Sequence, residues 1–162
     1  MIFVTVGNDF RGFDRLLKKM DEIAPLIPAE VLMQRGYSPY RPIHAKHFDF
    51  VTLHQATEYI RQSELVVSHA GIGTIILCRE YGVPILILPR RKALGEHMND
   101  HQGEIARALE KREHENIHVV YEEDQLKGKV LEILREGRRD APKREKTGAG
   151  LIKAIRGFIQ EV

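Results

Sequence analysis

The chain has 162 residues, 43% apolar and 30% charged, which suits one soluble globular domain and excludes a disordered tail or a disulfide-stapled miniprotein. Its net charge of +2, from 25 basic and 23 acidic residues, is not a nucleic-acid binder's balance, so no nucleic acid is expected among its partners. Its one cysteine, Cys78, cannot close an internal disulfide, as expected in a reducing compartment. No apolar run approaches the roughly 18 residues of a membrane span. Met1–Gly7 lacks the basic n-region and cleavage site of a signal peptide, so a cytoplasmic location is expected.

In chain order, short apolar runs alternate with helical spacings. Ile2–Val6 is a β-branched run ending at Gly7 and reads as a strand. Phe13, Leu16, Leu17, Met20 and Ile23 recur at helical spacing, with Asp14 near the start and Pro25 closing the helix. Val31–Gln34 and Phe48–Thr52 read as strands on either side of the loop-rich Gly36–Pro42. Ala56, Tyr59 and Ile60 mark a short helix, and Leu65–Ser68 a buried strand. Gly71–Tyr81 is a predicted helix stopped by Gly82, and Pro84–Leu88 a strand ended by Pro89. A helix over about 99–112, a strand at Ile117–Val120 and a helix near 123–135 complete the series. Strands alternating with helices of this length predict an α/β protein with a Rossmann-like parallel sheet and helices on both faces.

The predicted domain ends at residue 136. Residues 137–148 have no apolar period and read as a linker. Residues 149–162 then carry Leu151, Ile152, Ile155, Phe158, Ile159 and Val162 as an apolar stripe on an amphipathic helix. That stripe packs either on its own sheet or on a partner, a second copy of the chain included. Residues 127–156 hold ten Lys/Arg against four Asp/Glu, either a solvated face or a surface for phosphate head groups or an acidic partner.

Two stretches carry the chemistry. Ser68-His69-Ala70-Gly71-Ile72-Gly73-Thr74 follows a buried strand and opens a helix. There the first helical N–H groups lack intrahelical partners, and the helix dipole adds about half a positive charge. Glycines admit an anion close to the backbone and the Thr74 hydroxyl adds a donor, an arrangement suited to a diphosphate. Tight helix–strand packing would also place two glycines here. Neither the dinucleotide fingerprint nor a Walker loop is present, since position 76 is Ile76 and no Gly-Lys-Ser/Thr occurs. The second stretch, Gly95-Glu96-His97-Met98-Asn99-Asp100-His101-Gln102, follows the strand before Pro89 and supplies donors and acceptors for sugar hydroxyls. Simple helix capping by Asn99 or Asp100 is the alternative. His97 and His101 at i, i+4 would share a helix face, but no third metal ligand is spaced to join them, so no metal is expected.

The order Val4-Thr5-Val6-Gly7, Ser-His-Ala-Gly at 68–71, Gly82-Val83-Pro84, Pro89-Arg90 and Glu96-His97-x-x-Asp100-His101-Gln102 resembles the C-terminal domain of glycosyltransferase family 28 over nearly the whole chain. It is most similar to the small single-domain branch, which holds dolichol-linked GlcNAc transferase catalytic subunits and exopolysaccharide transferase subunits of the PssE type. The resemblance implies the C-terminal half of a GT-B enzyme, an inverting hexosyl or N-acetylhexosaminyl transferase with a UDP-sugar as donor substrate and no further cofactor. Gly71, Gly73 and Thr74, with Ser68 and His69, would hold the diphosphate. Glu96, His97, Asp100, His101 and Gln102 would contact the donor sugar. Backbone near Leu53 would face uracil, and Gly7 and Asn8 would border the cleft. A membrane-anchored subunit would supply the site for a lipid-linked acceptor, placing this chain on the cytoplasmic face of a membrane. The base that takes the acceptor proton would lie on that partner subunit, with His69 and His97 as the alternative candidates in this chain. The family's usual threonine after Gly7 is Asn8 here, and Leu77 stands where the family commonly has a ribose-binding glutamate, with Glu80 one turn later. Leu77 also leaves open a non-catalytic nucleotide-sugar-binding or scaffolding subunit.

Overall fold

The computed structural model describes residues 1–111 and 116–137. The expected linker beyond Gly137 and the amphipathic helix at 149–162 lie outside the described residues. Strands β1 (Ile2–Thr5), β2 (Val31–Gln34), β3 (Lys46–Phe48), β4 (Leu65–Ser68), β5 (Ile85–Ile87) and β6 (Ile117–Val119) form one sheet in the order β3-β2-β1-β4-β5-β6. Every pairing is parallel, and Thr5 stands beside Gln34 on one side and Ser68 on the other. Helices α1 (Asp14–Ile23), α2 (Leu53–Gln62), α3 (Ile72–Tyr81), α4 (His101–Glu110) and α5 (Gln125–Glu136) cover both faces.

Burial on both faces explains why β4 and β5 read as continuous apolar runs rather than alternating ones. Ile2, Val4, Leu65, Val67 and Leu86 pack against Leu16, Leu17 and Met20 of α1 and Leu126, Val130 and Ile133 of α5. Phe3, Val66, Ile85 and Ile87 point the other way, onto Ile60 of α2, Ile75 and Cys78 of α3, and Ile105 and Leu109 of α4. Gly82 takes the left-handed conformation at the end of α3 that its place in the sequence predicts.

The expected strand at Phe48–Thr52 is corrected to Lys46–Phe48. The cause lies in the next element. Thr52 caps α2, its hydroxyl accepting from the Gln55 N–H at 3.2 Å while the Gln55 side chain accepts from the Thr52 N–H at 3.0 Å. This reciprocal box starts a helix at Leu53, so the chain must leave the sheet several residues earlier.

Asp21, 1% exposed on α1, organises the long β2–β3 connection. Its carboxylate accepts from the Tyr40 hydroxyl and the Ile43 and His44 N–H groups, each at 2.8 Å, and from the Ala45 N–H at 3.0 Å. Burial pushes its pKa up, but the three backbone donors and Tyr40 outweigh it and hold the pKa below the usual carboxylate value. Asp21→Asn puts an amide N–H against these donors and should cost about 2 kcal/mol in urea unfolding at neutral pH. Because the folded carboxyl holds its proton less tightly than the unfolded one, its contribution is full above about pH 4 and fades as the pH falls through the folded value. The gap between wild type and variant should therefore narrow in acid. A constant gap would mean that the charge does not hold this loop.

Candidate functional site

The connection after β1 leads to α1 on one face, and that after β4 leads to α3 on the other. The two adjacent strands thus diverge at their carboxyl ends, and a crevice opens between Gly7-Asn8 and the start of α3. A cleft of about 550 Å³ runs from this edge between α2 and α3. Of the residues singled out in the sequence, Gly7, Asn8, Leu53, Gly73, Thr74 and Glu80 line it, and so does Leu77. Gly71 precedes α3 and no side chain caps this helix, which leaves its first N–H groups open to an anion. Nothing lies within 4 Å of where a Cβ on Gly73 would sit, so this glycine keeps space clear above the helix.

Gly7 and Gly71 have a different task. A Cβ on Gly7 would lie 2.4 Å from His69 Nε2, and one on Gly71 would lie 2.2 Å from His69 Cε1. The two glycines clamp the imidazole, and Gly7 further adopts a φ of +69°, which favours glycine. Gln102 fixes the ring from the other side. Its amide oxygen accepts from the Ala70 N–H at 3.3 Å and the Arg90 N–H at 3.1 Å, which turns its NH2 toward His69 Nδ1 at 3.2 Å. Nδ1 is thereby the acceptor, and the ring proton sits on Nε2. Burial, with the positive charge of Arg90 second, lowers the His69 pKa to about 3, so the ring is neutral at physiological pH.

Arg90 is 1% exposed and forms the hub of this edge. Its guanidinium donates to the carbonyls of Val6 at 2.6 Å, Glu96 at 2.9 Å and Gly12, and stacks on Phe13 with 4.8 Å from Cζ to the ring centre. Glu96 is engaged within the chain. Its carboxylate takes Arg15 Nε at 2.9 Å and Nη2 at 3.0 Å as a fork and accepts from the Arg91 N–H at 2.9 Å. Ser68 is fully buried and donates to the Thr5 carbonyl at 3.1 Å, tying β4 to β1 beneath the crevice.

His97 lies in the loop before α4, which begins only at His101, so the expected shared helix face of these two histidines does not form. His101 pairs with Glu104 at 3.0 Å on the exposed start of α4. Asp100 is exposed and accepts from the Lys92 N–H at 3.1 Å. Among the described residues, no three His, Cys, Asp or Glu side chains converge as a metal site would require.

Sequence reading quotes Thr5 and Arg90 as motif residues without giving either a role, and misses Gln34 and Asp9. Thr5 donates its hydroxyl to Gln34 Oε1 at 2.5 Å, so the Gln34 NH2 turns toward Asn8 Oδ1 at 3.4 Å on the cleft floor. A polar residue closing each of two otherwise apolar strands is the available signal. Asp9 receives Arg11 through its backbone N–H at 2.9 Å and its guanidinium at 3.1 Å. Nothing in the sequence marks Asp9 as facing the second motif across 88 residues.

The family described as glycosyltransferase family 28 C-terminal domain matches residues 1–161. The chain is 39% identical to the UDP-N-acetylglucosamine transferase subunit ALG13 of Mus musculus over 123 residues, 69% of this chain and 10% of that protein. The Homo sapiens subunit is 30% identical over 124 residues, covering 70% and 10%. The chain therefore spans 10% of the length of these curated relatives. Among solved structures, spinosyn forosaminyltransferase SpnP superposes with a TM-score of 0.61 at 19% identity, over 99% of this chain and 39% of that one. The NMR solution structure of ALG13 gives 0.57 at 17% identity, over 89% and 90%. At these identities the likeness concerns the fold, and it is the Rossmann-like architecture predicted above.

Proposed function

Because the chain belongs to the glycosyltransferase family 28 C-terminal domain family, we propose that it is the donor-binding subunit of an inverting UDP-sugar-dependent glycosyltransferase. The observation that carries this reading is the uncapped N-terminus of α3 opening on the cleft at the strand-order reversal. A diphosphate there meets the N–H groups around Gly73 and the Thr74 hydroxyl, with the His69 Nε2–H as an uncharged donor. Negative charge grows on the diphosphate as the sugar leaves, so these fixed dipoles favour the transition state over the bound donor. The nucleoside lies along the cleft, with uracil by Val51 and Leu53 and ribose by Glu80. Asp100 and His101 stand at the exposed start of α4, where the donor sugar extends. Gln102 serves that site through His69, since its oxygen and one N–H are already engaged.

A membrane-anchored partner on the cytoplasmic side supplies the lipid-linked acceptor in this reading. No helix among the described residues is long and apolar enough to cross a membrane. N-acetylglucosamine is the proposed sugar, after the ALG13 relatives. Leu77 in the cleft favours one second reading, a nucleotide-sugar-binding scaffold without turnover.

Calorimetry with UDP and UDP-N-acetylglucosamine tests the binding site. Both should bind, and Glu80→Ala should weaken both about tenfold, the worth of a hydrogen bond to a charged group. No binding of either ligand by a folded wild-type chain would overturn the reading. Donor turnover with the partner co-expressed separates the enzyme from the scaffold.

A further inference from the structure

The cleft between α2 and α3 is apolar in its middle. Gly73, Leu77 and Glu80 follow one another on the cleft face of α3, the last two at about 6 and 10 Å along the helix from the first. Leu77 is half-buried and packs on the core beneath α3. Helical side chains lean toward the N-terminus, so Leu77 covers the surface just behind Gly73 and Thr74, and Glu80 leans back toward Leu77. Helix α2 also starts at the carboxyl edge, which puts Ala56 and Thr57, one turn in, at the same depth on the opposite wall. The Thr57 hydroxyl donates to the Leu53 carbonyl at 2.8 Å, so its hydrogen is spent within α2. Among the described residues, Glu80 is the sole carboxylate lining the cleft.

A nucleoside diphosphate held at the start of α3 has its ribose next, one O–CH2 link beyond the α-phosphate. The rise of the helix sets that ring against Leu77, ahead of Glu80. Ribose presents two adjacent hydroxyls. A leucine bonds neither, and a hydroxyl pressed against it gives up water without a new partner. A single carboxylate one turn further on needs only one hydroxyl of the pair.

We propose that Leu77 makes this site indifferent to the 2′-hydroxyl, so that its ligands include 2′-deoxynucleoside diphosphates and their sugars alongside UDP. This rests on the donor-site reading above and names which nucleotides that site admits. A site built to bond a hydroxyl rejects the analogue lacking it, because its own polar group is left unpaired. Leu77 has no such group to strand.

Calorimetry with UDP and 2′-deoxyuridine diphosphate, which differ by that one oxygen atom, is the test. Wild type should bind the two within about threefold of one another. Leu77→Glu sets a carboxylate beside both hydroxyls and should raise the preference for UDP to about tenfold or more, the worth of a hydrogen bond to a charged group. The ratio of the two affinities cancels any repulsion between the new carboxylate and the phosphates. Leu77→Met keeps the apolar wall and should keep the wild-type ratio. A wild-type preference for UDP clearly above threefold, or a folded Leu77→Glu chain that binds UDP with the wild-type ratio, would overturn the proposal. If Leu77→Glu does not fold, the wild-type ratio decides by itself. Failure of wild type to bind either nucleotide would instead overturn the donor site.

Discussion

Gly71→Ala should lower UDP affinity by about 100-fold, while Gly73→Ala should raise the melting temperature as it lowers the affinity. The two glycines are two residues apart and meet different surroundings. An added Cβ at position 71 would stand 2.2 Å from His69 Cε1 and 2.7 Å from Nε2, inside any tolerated contact. The ring must turn out, the Gln102 bond to Nδ1 is lost, and the Nε2–H no longer faces the diphosphate. Two factors of ten correspond to about 2.8 kcal/mol, in the range of one preorganised donor lost from an oxyanion site. At position 73 the same methyl meets no protein atom within 4 Å, and alanine is the better residue inside a helix by up to about 1 kcal/mol. Any loss of affinity there is a direct contact with the ligand. Calorimetry and thermal melting of both variants check this. Wild-type affinity in a folded Gly71→Ala chain would remove the clamped imidazole from the site.

Glu96→Ala should cost about 2–3 kcal/mol in urea unfolding, because it takes the forked carboxylate partner from a buried guanidinium. Arg15 and Glu96 side chains are each only 10% exposed. Without the carboxylate, Arg15 keeps Glu123 at 3.2 Å and the Pro89 carbonyl at 2.9 Å, while its Nε loses its partner. The Arg91 N–H is orphaned as well, and the loop carrying His97 loses its tie to α1. Glu96→Gln keeps the volume and one acceptor, so its cost should be about half. The motif reading gives Glu96 a place against the donor sugar. If the alanine variant is as stable as wild type but binds UDP-N-acetylglucosamine poorly while still binding UDP, that role stands and the structural one falls.

Strand β4, β2 and the bounds of α3 are legible in the sequence because each is decided within a few residues. A continuous apolar run must be buried on both faces, and Gly82 ends its helix by its own conformation. Strand β3 is misplaced for the same kind of reason. It is a three-residue edge strand with Lys46 and His47 exposed, so burial leaves little pattern, and only the Thr52–Gln55 box limits it. The motif glycines mark the ligand edge, but their spacing does not say that Gly7 and Gly71 clear room for an imidazole while Gly73 clears room for something else. Nor does it say that Gln102 faces His69, that Glu96 meets Arg15, or that Asp9 stands by His97. Those pairs are 33, 81 and 88 residues apart. Hydrophobic period and capping act over one or two turns of chain. The partner of a buried polar group is chosen by the order of the strands, and the reversal at β1 carries residues 9, 15, 69, 90, 97 and 102 to one edge of the sheet.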